Sequence, residues 1–401
     1  MLYERFHRLE ERFFYALVLA GGLLVSLGLL AARYMEHNGH IVSGMTNQVV
    51  WGTPHVFAIF MIVAASGVLN VASIGSVFGK TVYKARAPLS ALMSVALLAG
   101  GLTVLLLDLG RPERLIVAMT TYNFKSIFAW NIFLYTGLFA IVGVYLWTLM
   151  ERRMNRFSKP AGFVAFVWRI ILTTGTGSIF GFLVARQAYN SALMAPMFIV
   201  MSFGWGLALF CIVQSAMFSW NNIELHPDIL RRMKNLLGIF LLGTLYFVAV
   251  SHVTNLYFAK QLDFERFILV DGGVYPFLFW VGYVLVGTAL PLFLIYHPTL
   301  GKRCDAVIVA SFLVLVGAFA LLYVLIIGGQ AFPLEIFPGM EVTSTFLDGK
   351  VDPYSPSVPE VFLGIGGLGV AFLIISIGVR VLHFMPEDDF SQLQGATNIT
   401  D

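Results

Sequence analysis

The sequence predicts an all-α integral membrane protein of about ten transmembrane helices. Two observations carry this expectation. Hydrophobic residues fill 58% of 401 positions and charged ones only 12%, which leaves too little polar surface to keep a soluble domain in solution. The apolar residues also run in long, unbroken stretches instead of alternating, as helices require and barrel strands do not. A span needs roughly 20 apolar residues to cross a hydrocarbon core of about 30 Å, and ten such stretches lie between charge clusters.

They run over 13–34, 53–78, 88–109, 127–150, 161–185, 196–220, 235–258, 275–297, 306–328 and 361–384. The first follows Arg5, Arg8 and Arg12 as a signal peptide would, but it is too long for the apolar region of one and ends at Arg33 and Tyr34, so it reads as a retained helix. Of the 25 lysines and arginines, 16 fall on the segments that an N-in start puts in the cytoplasm and 7 on the opposite loops; Arg33 and Arg169 lie within spans. Positive loops resist translocation, so both termini are expected in the cytoplasm. The net charge of +3 is then a topology signal, and no nucleic-acid partner is expected. Cys211 falls inside the sixth span and Cys304 at a loop end, neither a disulfide nor a cluster site, so any iron–sulfur centre belongs to a partner.

The chain reads as one membrane domain over 1–401. The second span opens Thr53-Pro54-His55-Val56-Phe57 and the sixth Ala195-Pro196-Met197-Phe198, each with proline in the first turn, where its missing N–H costs least. Spans two to five (53–185) and six to nine (196–328) would thus be two four-helix bundles in parallel repeat, with flanking helices. Met197 replaces His55 in the second copy, which puts the chemistry in the first. An outer loop over 329–360, with Pro333, Pro338, Pro353, Pro356 and Pro359, reads as a lid or a docking surface.

Asp108 is the most informative residue. It follows Leu105-Leu106-Leu107 at the outer end of the third span, where an unpaired carboxylate is costly. It can pair with Arg111, cap the segment that starts at Pro112, or accept a proton, and these readings can coexist. His55, in the first turn of the second span, shares its depth. As a pair they suit oxidation of a hydroquinone, whose two hydroxyl protons must leave along with two electrons. Asn131 and Tyr135, four apart at the start of the fourth span, share a helical face and reach toward a quinone carbonyl; aromatic anchoring at the interface explains Trp130, and Tyr135 equally well.

Ser66, Asn70 and Ser73 return to within roughly 60° of the His55 azimuth over about 27 Å, a stripe for protons or for close helix packing. Arg169 reads as a snorkelling residue or as part of that path. Bis-histidine haem ligation needs two imidazoles facing each other. His297 and His383 lack such a partner and only His55 and His252 share the outer half, so no intrinsic haem is expected.

The segments Trp51-Gly52-Thr53-Pro54-His55-Val56-Phe57, Leu107-Asp108-Leu109-Gly110-Arg111-Pro112 and Ile327-Gly328-Gly329-Gln330 resemble those of the NrfD-like family, the membrane subunits of polysulfide reductase, hydrogenase-2 and alternative complex III. The ten-span length resembles the larger branch, and within it the DsrP-type subunits of DsrMKJOP complexes of sulfur-metabolising bacteria. The resemblance implies a multi-pass subunit of the bacterial inner membrane without its own redox cofactor. Menaquinone or ubiquinone would be its substrate, a ferredoxin-like iron–sulfur subunit its partner on the outer face, and a multihaem cytochrome and a membrane cytochrome b further subunits. The quinone-site roles fall on His55, Asp108 and Arg111. Two other classes stand against it: a secondary transporter, which the parallel repeat and the outer polar groups disfavour, and a passive anchor, which leaves His55 and Asp108 unexplained.

Two measurements check these expectations. Reporter fusions after Met45 and Val342 should report the outer compartment and those after Met154 and Met233 the cytoplasm; the inverse pattern overturns the orientation. A dithionite-reduced minus oxidised spectrum of the isolated subunit should lack b-type bands, whereas stoichiometric bands lost in His55→Ala or His252→Ala would refute the haem-free expectation.

Overall fold

Ten helices long and apolar enough to cross a membrane appear in the computed structural model, which describes residues 3–4, 11–220, 225–334, 349–382 and 385–386. They are α1 (Glu11–Asn38), α2 (Thr53–Ser76), α3 (Ala87–Leu107), α4 (Ile127–Met150), α5 (Ser158–Gly181), α6 (Met194–Trp220), α7 (Pro227–Tyr257), α8 (Val274–Tyr296), α9 (Cys304–Ala331) and α10 (Val358–Val381). An even number of spans returns the chain to the face it left, and the backbone of Tyr3–Glu4 pairs antiparallel with Met385–Pro386 there. The opposite face, where α1 ends and α2 begins, is called the site face below.

Helix boundaries differ from expectation mainly where charge was taken for loop. α7 starts at Pro227, eight residues before the expected 235, because Arg231, Arg232 and Lys234 ride on its first turns. The ring of His226 caps it by accepting the Asp228 N–H at 3.2 Å. The expected outer loop over 329–360 loses its first three residues to α9 and its last three to α10, and its remaining described parts, 332–334 and 349–357, carry no helix, the second leading to the capping box of Ser357 and Glu360 that opens α10. Pro338 lies outside the described residues.

α2 is the axis of the molecule. Its most apolar stretch is 89% buried, against 11% for α1. It packs on α3, α5, α6, α9 and α10, while α3 and α5 both reach α4 and close a ring of four helices. A second ring runs α6, α7, α8, α9, with α9 returning to α6, and α1 leans on α10 at the edge. Lipid is as apolar as leucine, so helices in it associate through close backbone approach and packing rather than by escaping solvent. The rings meet where α2 crosses α6 at Gly67 and Gly206: a methyl on Gly67 would lie 1.6 Å from the Ser202 carbonyl oxygen, and one on Gly206 2.2 Å from the Gly67 carbonyl carbon.

Overpacking of this kind costs roughly 1–3 kcal/mol where the backbone must yield. Gly67→Ala is expected to lower the thermal midpoint of the purified subunit in detergent. Gly143→Ala, where no atom lies within 4 Å, should leave it unchanged or slightly raised by the better helix propensity of alanine. Equal midpoints for the two variants would refute the close crossing.

Candidate functional site

The site begins with two helix ends brought together at the site face. α2 opens on Gly52 with Pro54 in its first turn, which fixes the chain direction and places His55 one turn in. α3 ends at Leu107 with Asp108 as its C-cap, and α2 and α3 pack along their length. His55 Nδ1 therefore lies 2.9 Å from Asp108 Oδ2, with the carboxylate side chain 2% exposed and the imidazole 24%. The contact is close but out of line, and neither Asp108 oxygen receives a well-directed hydrogen bond among the described residues.

His55 forms part of the wall of a cavity of about 430 Å³ between the first turn of α2, the end of α3 and the start of α4. Its other walls are apolar and aromatic: Trp51, Ile59, Leu102, Leu105, Phe128, Phe180 and Ile326 among them, with Asn131, Tyr135 and Thr136 as the remaining polar members. The volume is that of a small-molecule site, and a mostly apolar lining with few polar groups suits a flat, largely apolar ligand. Leu106, Leu109 and Phe128 in the wall are exposed, so the cavity opens sideways at the end of the bundle. The short amphipathic segment after Asp108 closes it above with Leu115 and Met119.

The structure brings His55, Asn131 and Tyr135 into one wall and sets Asp108 behind His55 rather than beside it. Asn131 gives its amide N–H groups to the carbonyls of Ile127 (2.9 Å) and Gly175 (3.2 Å) and leaves Oδ1 without a partner among the described residues. Tyr135 is buried with its hydroxyl beside Thr176. Arg111 stands exposed past the end of α3, outside the wall, and no ion pair joins it to Asp108 among the described residues.

The polar stripe of α2 does not form one file. Ser66 accepts from Thr173 Oγ1 at 2.6 Å and donates to the Arg169 carbonyl at 3.1 Å, Asn70 reaches across to the Phe203 carbonyl at 3.4 Å, and Ser73 bonds back to Leu69 in its own helix. Between His55 and Ser66 the buried positions are apolar, Ile59, Ile62 and Val63. Arg169 does not snorkel. It is 2% exposed, donates to the Ser66 carbonyl at 3.2 Å, and sits over the rings of Phe166 and Phe203 at 5.1 and 5.3 Å; these π faces and a carbonyl replace the water it was expected to reach.

Sequence reasoning missed a second His–carboxylate pair. His252 at the end of α7 lies 2.6 Å from Glu265, whose other oxygen accepts from Asn255 at 2.7 Å. Glu265 has no exposed surface. The cavity beside it, lined by Met197 among others, measures only about 40 Å³. That is far below the roughly 300 Å³ at which ligand pockets begin, so the pair anchors the segment that follows α7. Weighing His252 only as a haem ligand hid its partner thirteen residues on. Both cysteines are free, and no group of three or more metal-ligating side chains occurs among the described residues.

A strap over 44–52 fastens the first turn of α2. Glu360, with no exposed surface, accepts from the N–H groups of Gly44 and Ser357 and from the Tyr354 hydroxyl, each at 2.8 Å; Tyr354 in turn accepts the Thr53 N–H at 2.8 Å. Burial pushes the phenols of Tyr354 and of Tyr189, in the turn before α6, well above the usual range and keeps them as donors. The Trp51 indole stacks near His55, with ring centres 6.1 Å apart and planes 26° off parallel.

The sequence of the chain is similar to those of known proteins. Residues 41–334 match the family described as polysulphide reductase, NrfD. The chain is 30% identical over 377 residues to the Hdr-like menaquinol oxidoreductase integral membrane subunit of Archaeoglobus fulgidus, covering 93% of this chain and 94% of the relative. It is 27% identical to a putative dimethyl sulfoxide reductase membrane subunit of Halobacterium salinarum over 90% and 89% of the two chains. To one of the chains of the polysulfide reductase of Wolinella succinogenes it is 22% identical, over 71% and 96%. A match over most of the chain, carried by a ten-span bundle, makes this protein a member of the NrfD (polysulphide reductase) family of membrane subunits.

Proposed function

We propose that this chain is the quinone-reactive membrane subunit of a multi-subunit oxidoreductase, exchanging electrons between the membrane quinone pool and an iron–sulfur subunit on the site face. The observation that carries it is the state of Asp108. Glu265 and Glu360, at the same face, each accept directed hydrogen bonds at both oxygens, whereas Asp108, among the described residues, meets only the ring of His55, which forms the wall of the cavity. A carboxylate buried behind an imidazole and left without other donors is arranged to work through that imidazole.

In the quinol-oxidising direction, one hydroxyl of the bound hydroquinone gives its proton to Nε2 of His55, the ring nitrogen not facing Asp108. Asp108 stabilises the imidazolium and fixes the ring. The proton leaves to the aqueous phase at the site face, the second hydroxyl follows, and two electrons pass to the iron–sulfur partner. Asn131 Oδ1 and the Tyr135 hydroxyl, which line the same cavity, orient the head group, and Arg111 acts at the rim outside it. Ser66, Thr173 and Arg169 form a short polar cluster deeper in the first ring, a waypoint for protons that Asn70 and Ser73 would extend only by rearranging.

The menaquinol oxidoreductase role of the Archaeoglobus relative supports menaquinol as the substrate, and the lining supports it too, since Asn131 and Thr136 spend their donors on backbone carbonyls and leave few for the methoxy groups of a ubiquinone. The finer resemblance to DsrP-type subunits supports a complex of sulfur metabolism, with a multihaem cytochrome and a membrane cytochrome b as further partners. The site face is outward from the cytoplasm, both termini are inside, and the two rings are parallel copies with the chemistry in the first.

Asp108→Asn keeps shape but removes the carboxylate. Quinone should still bind while quinol oxidation by the assembled complex falls by a factor on the order of 100 or more, as when the carboxylate behind an imidazole base is lost. His55→Ala should impair both binding and turnover. Arg111→Gln, outside the wall, should change turnover by less than about threefold. Parental rates in assembled complexes carrying His55→Ala and Asp108→Asn would show that the pocket lies elsewhere.

A further inference from the structure

We propose that Gln330, at the end of α9 in the second ring, is a positioning residue of the quinone site in the first: its carboxamide holds the backbone of Val50 and Trp51 and so fixes the Trp51 indole against His55. The inference rests on the quinone-site reading above.

Gln330 is 1% exposed, and each hydrogen-bonding position of its carboxamide is taken. Oε1 accepts the N–H groups of Val50 (3.1 Å) and Trp51 (3.0 Å), and Nε2 donates to the carbonyls of Trp51 (3.0 Å) and Ile326 (2.8 Å). Trp51 thus gives both its N–H and its C=O to one amide. Such a reciprocal pair fixes the backbone on both sides of the residue, and with it the direction in which the side chain leaves. That side chain forms part of the cavity wall, faces His55, and meets the Phe180 ring edge-on at 5.7 Å.

The end of α9 is built to present this amide. Its last turns widen into a π-helix over Val324–Gly328, a form that recurs at functional sites, and the Tyr189 hydroxyl donates to the Leu325 and Ile326 carbonyls at 3.2 and 2.9 Å. A methyl on Gly329 would lie 2.8 Å from Ala188 Cβ and 3.0 Å from the Tyr189 oxygen, so glycine lets the turn close on that segment. Arg186 completes the clamp by donating to the Gln330 carbonyl at 2.8 Å and the Gln48 carbonyl at 2.6 Å, while Gln48 Nε2 returns a bond to Ala331 at 2.8 Å. The Gly-Gly-Gln sequence is thereby given a task in the chemistry of the other ring.

Glutamine alone among the side chains of this size offers two acceptor and two donor positions in one plane. Methionine has its length and neither function, and glutamate keeps only the acceptors.

The test is a double-mutant cycle in the assembled complex, with a short-chain menaquinol as substrate. Gln330→Met and Trp51→Ala are each expected to lower kcat/KM by about tenfold, and the double variant by no more than the larger single effect, because one acts through the other. A merely structural glutamine would instead lower the thermal midpoint and multiply its effect with that of Trp51→Ala. Multiplying effects, or a Gln330→Met complex within about threefold of the parent, overturn the proposal. Should Gln330→Met not assemble, Gln330→Glu, which loses both donor bonds and sets a carboxylate oxygen against the Trp51 and Ile326 carbonyls, carries the same cycle with the same expected outcome. His55→Ala and Asp108→Asn are measured alongside: if they abolish turnover while the cycle fails, only the clamp is wrong, and if they do not, the quinone-site reading itself has failed.

Discussion

The Asp108 carboxylate has one polar neighbour among the described residues, the imidazole of His55 at 2.9 Å, and the arrangement of the bundle keeps the two together. Away from water an unpaired carboxylate costs several kcal/mol, so α2 and α3 must meet in register at their ends. That requirement is met by making α2 the axis: buried on nearly every side, it has no freedom to rotate His55 away from α3. The Gly67–Gly206 crossing fixes its distance from the second ring, and the strap over 44–52 fixes its first turn. Each of these is a constraint on one helix, and together they leave the imidazole a single position between carboxylate and cavity.

Asp108, Glu265 and Glu360 are all buried at this face, and comparing them separates structure from chemistry better than depth does. Glu360 accepts two backbone N–H groups and a phenol, joining the strap to α10. Glu265 accepts from Asn255 and meets His252, joining the segment after α7 to its own helix. Both are saturated, and saturation by fixed donors makes a carboxylate a brace. Asp108 has no such donors among the described residues, and that difference is the ground of the chemical role proposed for it. The presence of His252 opposite Glu265 shows that a His–carboxylate pair is not by itself a site. What distinguishes the first ring is the cavity of about 430 Å³ against about 40 Å³ in the second.

Much of the fold was legible in the sequence because hydropathy responds to a simple condition: backbone groups must be paired internally wherever lipid is the solvent. The ten spans were readable for that reason, and boundaries slipped mainly where a helix carried its charges into the interface, as α7 does at Arg231 and Arg232. Of the site, His55 and Asp108 could be placed at one depth because both sit at helix ends, and Asn131 and Tyr135 on one face because they are four apart. Azimuth was harder. Periodicity aligned Ser66, Asn70 and Ser73, but their bonds run to three different partners, since small polar groups in a buried helix bond to whichever carbonyl is nearest. Arg169 was misread as a snorkelling residue because charge signals solvent in sequence, while here aromatic faces of Phe166 and Phe203 hold it.

What no local pattern conveys is that the wall of the cavity is assembled from segments hundreds of residues apart. Trp51 belongs to the strap before α2, Phe128 to the start of α4 and Ile326 to the widened end of α9. On the proposed reading, a head group whose hydroxyl must come within hydrogen-bond reach of one imidazole nitrogen would tolerate little play in any of them. Helix ends are the least constrained part of a bundle, because their last carbonyls and first N–H groups have no partners in the helix itself. Here those free groups are the means of assembly: the carbonyls of Ile326, Gln330 and Ala331 are taken by Tyr189, Arg186 and Gln48, and the N–H groups of Val50, Trp51 and Thr53 by Gln330 and Tyr354, all from other segments. The incompleteness of helix ends, a liability in lipid, thus becomes the set of contacts that lets two rings of helices hold one pocket.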